Sequence, residues 1–245
     1  MSSFPIPAPA FDGRSRAVGV EAVFAWLRLG WNLFLAEPGL WAVSALIAVG
    51  GFFALLAVWL VGLLLAGLLA PVLAAGMLTL CRKISEEKSA GLHDLFAGFT
   101  ARTAPLLGLG VIFMLGLLVI KLIVFVLLGG SLAGGLAVSG IAGIGLALGG
   151  SLLALLLSSL LVVPLAMALW FAPALVLFNR MAPAEACRAS FAACLKNAAP
   201  FAILGLIVFV LGFLAMWPAC LGFLVLIPAL AGTAYASWQD VFAAY

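Results

Sequence analysis

Lys121, in the stretch LLVIKLIVFVLL, is the one basic residue set inside a long uncharged run. An ionisable group at such a position marks function by default, because taking it out of water is expensive. Two outcomes are open for it. Its stem could carry the ammonium to the nearer interface, or it could meet an anion, a lipid phosphate or a pore. No Asp or Glu occurs in the apolar runs to neutralise it. The companion hydroxyls Ser158 and Ser159 stand one to two turns before Pro164, where they either contact a solute or satisfy the carbonyl region that a mid-helix proline leaves open.

Other reactive types are scattered. Cys187 and Cys194 lie two helical turns apart, roughly 10 Å by helical rise, which is beyond disulfide reach, so they read as small apolar packing residues. The single histidine, His93, has only the adjacent Asp94 beside it; a capping Asp with a solvated imidazole is the simpler reading of LHDLFAGF. No phosphate loop with its lysine, no His-Glu metal motif and no carboxylate pair is present. An enzyme is not expected, and neither is a metal or a cofactor.

What positions these residues is a bilayer. Of the residues, 67% are apolar and only 8% charged, with mean hydropathy +1.39, too little charge to clothe a soluble globule of this size. The basic residues other than Lys121 fall in three patches: Arg14, Arg16 and Arg28; Arg82, Lys83, Lys88 and Arg102; Arg180, Arg188 and Lys196. Lys and Arg are retained on the cytoplasmic side, so in a bacterial inner membrane both termini face the cytoplasm. The net charge of +3 serves that orientation, and nucleic acid is not an expected partner.

An apolar helix of about 20 residues crosses the hydrocarbon, and the longer runs must fold back. The expected spans are Gly39 to Leu60, Leu63 to Leu80, Leu106 to Leu128, Ser151 to Phe178, Phe201 to Trp217 and Leu221 to Trp238. Between the third and fourth lies Gly129 to Gly150, read either as a re-entrant segment or as a helical extension of its neighbours. Pro38, Pro105 and Pro200 each suit the first turn of a rising helix. Pro71, Pro164 and Pro228 fall inside the returning helices, where each removes a hydrogen bond and bends the chain.

APVLAAGMLTLCRKI and IPALAGTAYASWQDV are alike around those prolines, with VPLAMALWFAPALVL a looser relative. The fold expected is therefore all-α: six transmembrane helices as three parallel repeats, each an interfacial helix plus a helical hairpin, at about 21–84, 92–179 and 183–242. Residues 1–20, with FPIPAPAF, form a flexible or polyproline arm, and 21–245 one integral membrane domain. PAEACRASFAACLKN is amphipathic, with Arg188 and Lys196 on a polar side, and it reads as an interfacial helix; Arg28 plays the same part in the first unit. Trp26, Trp31, Trp41, Trp59, Trp217 and Trp238 fit aromatic anchors at the interfaces.

LFAGF at Leu95 to Phe99, the stretch from Trp170 to Phe201, and the closing LIPALAGTAYASWQDVF resemble a proteobacterial family of small uncharacterised inner-membrane proteins. At a greater distance they resemble the membrane domain that accompanies some glycerophosphodiester phosphodiesterases. The resemblance implies a six-helix inner-membrane architecture and brings no catalytic residues. The acidic and basic partners that follow the prolines of mitochondrial carriers are missing. The function expected is a non-enzymatic accessory or organising subunit in contact with lipids, a membrane partner or another copy of itself; the alternative is a transporter, channel or lipid-handling protein with a path near Lys121.

Overall fold

A computed structural model describes residues 13–138, 140–217 and 220–242, without the side chains of Trp59 and Leu60. Among the described residues every regular element is helical. Of the arm expected at 1–20, residues 1–12 lie outside the description, and 13–19 form a segment without helix or strand. α1 (Ala22–Ala36) leads into α2 (Pro38–Leu56) and the returning α3 (Trp59–Ser85). A short 3-10 helix (Leu92–Phe96) and α4 (Gly98–Ala101) then lead to α5 (Thr103–Ala137) and α6 (Ile141–Trp170). After α6 come α7 (Ala172–Leu177), α8 (Pro183–Lys196), α9 (Ala198–Met216) and α10 (Phe223–Phe242).

The prolines sit where backbone chemistry suits them. Pro38 is the first residue of α2, and Pro105 and Pro200 fall in the first turns of α5 and α9, where the missing N–H has no intrahelical acceptor to lose. Pro71, Pro164 and Pro228 lie inside α3, α6 and α10. Pro173 is different. It opens α7 after a break at Phe171, so the segment expected as one span from Ser151 to Phe178 is two helices.

The glycine-rich stretch is helical almost throughout, which moves two expected boundaries. α5 continues past Leu128 to Ala137, and α6 begins at Ile141. Gly140, at φ +80, supplies a backbone conformation for the turn that side chains resist. Its neighbours serve close approach: a methyl on Gly135 would come within 2.8 Å of the Gly143 carbonyl, and one on Gly150 within 2.1 Å of Ser131. The α5–α6 hairpin therefore holds one antiparallel register, still visible far below where Gly116 lies against Leu165.

Five helical segments are long and apolar enough to cross a membrane: Pro38–Leu56, Val61–Ser85, Thr103–Ala137, Ile141–Leu177 and Ala198–Met216. The sixth expected span is α10, a 20-residue helix whose second half carries Thr233, Tyr235, Ser237, Gln239 and Asp240. Those groups are accommodated because α10 is packed from two sides. α1 runs along it with Gly30 and Gly232 in backbone contact, and α2 and α3 lie across it. The main core joins α1, α5, α7, α8 and the end of α10 around Trp26, Phe171 and Phe242. A second cluster around Trp41, Leu80 and Tyr235 ties α2 and α3 to α10.

Two of the tryptophans read as interface anchors are core residues. Trp26 is buried with its indole N–H donated to Asp240 at 2.8 Å, and Trp41 is buried with its N–H on the Leu33 carbonyl at 2.9 Å. A buried indole needs such an acceptor, and here both come from the fold. Trp31 and Trp217 remain exposed, as an interface position requires. The side chain of Trp59 lies outside the described residues.

Candidate functional site

The basic end of the molecule holds a connected polar cap. Asn197, buried where α8 gives way to α9, accepts the Val18 N–H at 2.7 Å and donates to the Arg16 and Ala193 carbonyls at 3.1 and 2.9 Å. Lys196 donates to the Ser15 carbonyl. Arg16 pairs with Asp240, and its N–H reaches the Val241 carbonyl at 3.0 Å. Residues 13–19 are in this way strapped across the ends of α8 and α10. Beneath Arg16 lies a cleft of about 460 Å³ between α1 and α10, with Trp26, Leu29, Gln239 and Asp240 in its wall.

On the other side of the cap, Asp94 is only 5% exposed. It accepts from the Gly91 N–H at 3.0 Å and from Lys83 at 2.8 Å, with the exposed His93 ring 3.2 Å away. Burial works against ionising this carboxyl, but the Lys83 hydrogen bond, the Gly91 N–H and the Lys83 charge outweigh it and hold it below its ordinary value. Glu86 is likewise pulled down, by hydrogen bonds from Lys88 and Arg82. Tyr235 bridges Ser85, at 3.1 Å, and Gln239, at 2.9 Å, while Arg82 stacks over Phe178.

Ser190 carries a role that composition does not announce. Its hydroxyl donates to the Met167 carbonyl at 2.7 Å and accepts the Phe171 N–H at 3.0 Å. Those two groups would be hydrogen-bonded to each other in an unbroken helix. The serine of α8 is inserted into the ladder at the break between α6 and α7, one of the known causes of a kink. In the sequence Ser190, Asn197 and Asp240 are ordinary polar residues, Ser190 in the middle of α8 and the other two near helix ends.

The residues singled out from sequence are not brought together. Arg28, Arg188 and Lys196 are exposed, on α1 and at two positions along α8. Cys187 and Cys194 are buried, and burial pushes their thiols up to about 11 and about 12. Ser158 and Ser159 both donate to the Leu155 carbonyl, at 2.7 and 3.0 Å. They do not reach the Leu160 carbonyl that Pro164 leaves without its usual donor. Among the described residues no group of three or more His, Cys, Asp or Glu is placed to hold a metal ion.

Lys121 is exposed on α5. An apolar groove of about 450 Å³ opens between α5 and α6, lined by Leu115, Gly116, Val119, Ile120, Ile123, Leu161, Pro164, Leu165 and, from α8, Phe191. By helical spacing Lys121 lies nearly opposite that groove, on the side of α5 that meets α3 lower down. Its height is informative. Met114 against Gly67 and Gly110 against Leu68 set the α3–α5 register, and extending it brings the α2–α3 turn level with about residue 121. From Arg102 to Lys121 the helix rises roughly 28 Å, close to the ~30 Å of a bilayer's hydrocarbon. In the hairpin's own register Ser158 and Ser159 stand at the same height.

The chain is similar to a protein of Burkholderia thailandensis described as a probable inner membrane protein, with 27% identity over 226 residues, covering 89% of this chain and 82% of that one. No family model and no solved structure matches it.

Proposed function

We propose that the chain is an integral inner-membrane protein without catalysis of its own, an accessory or organising subunit that contacts lipid and a membrane partner. The observation that carries this reading is how the polar groups of the cap are used. Asp94, Asn197, Asp240, Ser190 and Trp26 are each hydrogen-bonded or paired within the chain, to neighbouring helices, to helix ends or to the 13–19 segment. The likeness to a probable inner membrane protein supports the location.

We infer six crossings with both ends in the cytoplasm. Five crossings alone would leave residue 242 on the far face. The hydrogen bond from the Arg16 N–H to the Val241 carbonyl keeps the two described ends together, which favours α10 as the returning sixth span. The basic patches at that end support a cytoplasmic side for it by the positive-inside rule. A short helix followed by a long one and a proline-containing return occurs at α1–α3, at α4–α6 and at α8–α10, in keeping with three parallel units. Contact with lipid would also agree with the resemblance to the membrane domain beside glycerophosphodiester phosphodiesterases.

The competing reading, a solute or lipid path near Lys121, draws on that lysine's place at the level of Ser158 and Ser159. Neither of the two clefts described above is lined by Lys121, which weighs toward the accessory role. Purified protein in liposomes is the test. The accessory reading expects no solute flux, unchanged by Lys121→Leu, and co-purification of a defined membrane partner after mild solubilisation. Flux that Lys121→Leu abolishes would replace it with the transporter.

A further inference from the structure

The α5–α6 hairpin is too long for the membrane that fits the rest of the molecule. α2 and α9 have 19 residues each, roughly 28 Å of helix, and match the hydrocarbon. α5 has 35 residues, roughly 52 Å. Tilt does not absorb the difference, because fitting 52 Å into ~30 Å requires about 55°, beyond the range up to ~40° that membrane helices show.

The two neighbouring turns fix where the excess lies. The α2–α3 turn is level with about residue 121 of α5, as derived above. The α9–α10 turn is placed by two contacts, Gly222 against Ala215 and the Trp170 indole on Ser237 at 3.2 Å. Counting up α6 from Trp170 by the same number of residues brings that turn to about Leu155, which pairs with about residue 126 of α5. The hairpin therefore continues roughly 16–24 Å beyond both turns.

This projecting end contains no Asp, Glu, Lys, Arg or His. Its described side chains include some of the most exposed apolar ones in the molecule: Leu136 at 87%, Ile141 at 90%, with Ile144 and Leu148 above 60%. The exposed apolar area is on the order of a thousand Å², whereas a water-facing monomer seldom shows a patch above a few hundred Å². Covering about four-fifths of it would meet the ~800 Å² per partner of a standard interface. A matching partner needs an uncharged surface at the same height beyond the membrane. A second copy inserted in the same orientation presents one by symmetry, across a two-fold axis along the membrane normal.

We propose that the apolar end of the α5–α6 hairpin packs against the same hairpin of a second copy of this chain. The proposal rests on the membrane placement given above and not on the accessory role. The test uses the full chain, with Cys220→Ser to remove the half-exposed thiol, in vesicles of native lipid. Leu136→Cys and Ile141→Cys are treated separately with a short flexible bismaleimide, beside Val58→Cys, exposed at the α2–α3 turn, as a collision control. Val138→Cys, at the hairpin turn, is probed with a membrane-impermeant maleimide to establish that the end lies outside the bilayer.

Covalent dimers from both tip cysteines, none from Val58→Cys, and labelling of Val138→Cys are the expected results. Single chains at both tip positions would overturn the proposal, as would dimers equally abundant from Val58→Cys. Val138→Cys that is labelled in detergent-solubilised single chains but protected in vesicles, with no covalent dimer from either tip cysteine, would show lipid covering the end and would overturn the proposal. A cross-linked dimer that also conducts solute would refute the accessory role and leave this interface standing; a monomer without flux would do the reverse.

Discussion

At the scale of single residues, the sharpest consequence concerns Ser190. Its hydroxyl satisfies both Met167 O and Phe171 N–H at the α6–α7 break, so Ser190→Ala leaves two buried backbone groups to find each other or go unpaired. A loss of about 2–3 kcal/mol is expected, read as a lower melting temperature in detergent, whereas Ser159→Ala on the exposed side of α6 shifts it little. Asp94 gives a pH signature. Its folded value is depressed, so its contribution is fully present above the ordinary value near 4 and is lost as pH falls through the lower folded value. Asp94→Asn should therefore cost about 2 kcal/mol at pH 7, with the gap from wild type closing below about pH 4; a constant gap down to pH 3 would contradict the ionised pair with Lys83. The buried thiols at Cys187 and Cys194, raised to about 11 and about 12, should resist maleimide at pH 7, since the thiolate is the nucleophile, while the reagent can reach the half-exposed Cys220 and label it. Mass spectrometry of the labelled chain counts the adducts.

At the scale of elements, glycines separate contact from freedom. A methyl on Gly30 would stand 2.5 Å from the Ala229 carbonyl and 2.6 Å from the Thr233 hydroxyl, while one on Gly50 would meet nothing within 4 Å. Gly30→Ala should thus destabilise by about 1–3 kcal/mol, and Gly50→Ala should be neutral or stabilise by up to about 1 kcal/mol, in thermal melts of the two variants. These contacts also show where sequence reading reached its end. The prolines at 38, 105 and 200 announced their helix starts because the ring constrains its own backbone, a local effect. The glycines from 129 to 150 left loop and helix open, because a glycine gains nothing from a helix unless another backbone comes close. Trp26 and Trp41 followed the same logic: an amphipathic ring beside an apolar run suits an interface until a distant acceptor, Asp240 or the Leu33 carbonyl, lets it be buried. Ser190 and Asn197 escaped notice for the same reason, since their partners lie on other elements or in the 13–19 segment. α10 shows the converse. Its Tyr235, Ser237 and Asp240 dilute the apolar signal of a span, and they are accommodated by Ser85, Trp170 and Trp26 from three different helices.

At the scale of the whole molecule, one end is polar and internally bonded, and the other is an uncharged hairpin that outreaches its neighbours. The first property leaves little at membrane depth for moving a solute, and the second calls for protein where the bilayer ends. In the proposed placement the bilayer's inner edge lies near Arg102 and its outer edge near Lys121, Ser158 and Ser159. The most direct test is a high-resolution map of the protein purified in its native lipid. The account predicts an outer lipid boundary at the height of Lys121, protein density from a neighbouring chain against the hairpin above it, and no continuous water path past the lysine. A lone chain with lipid rising to Ala137, or a hydrated passage lined by Lys121, would contradict it.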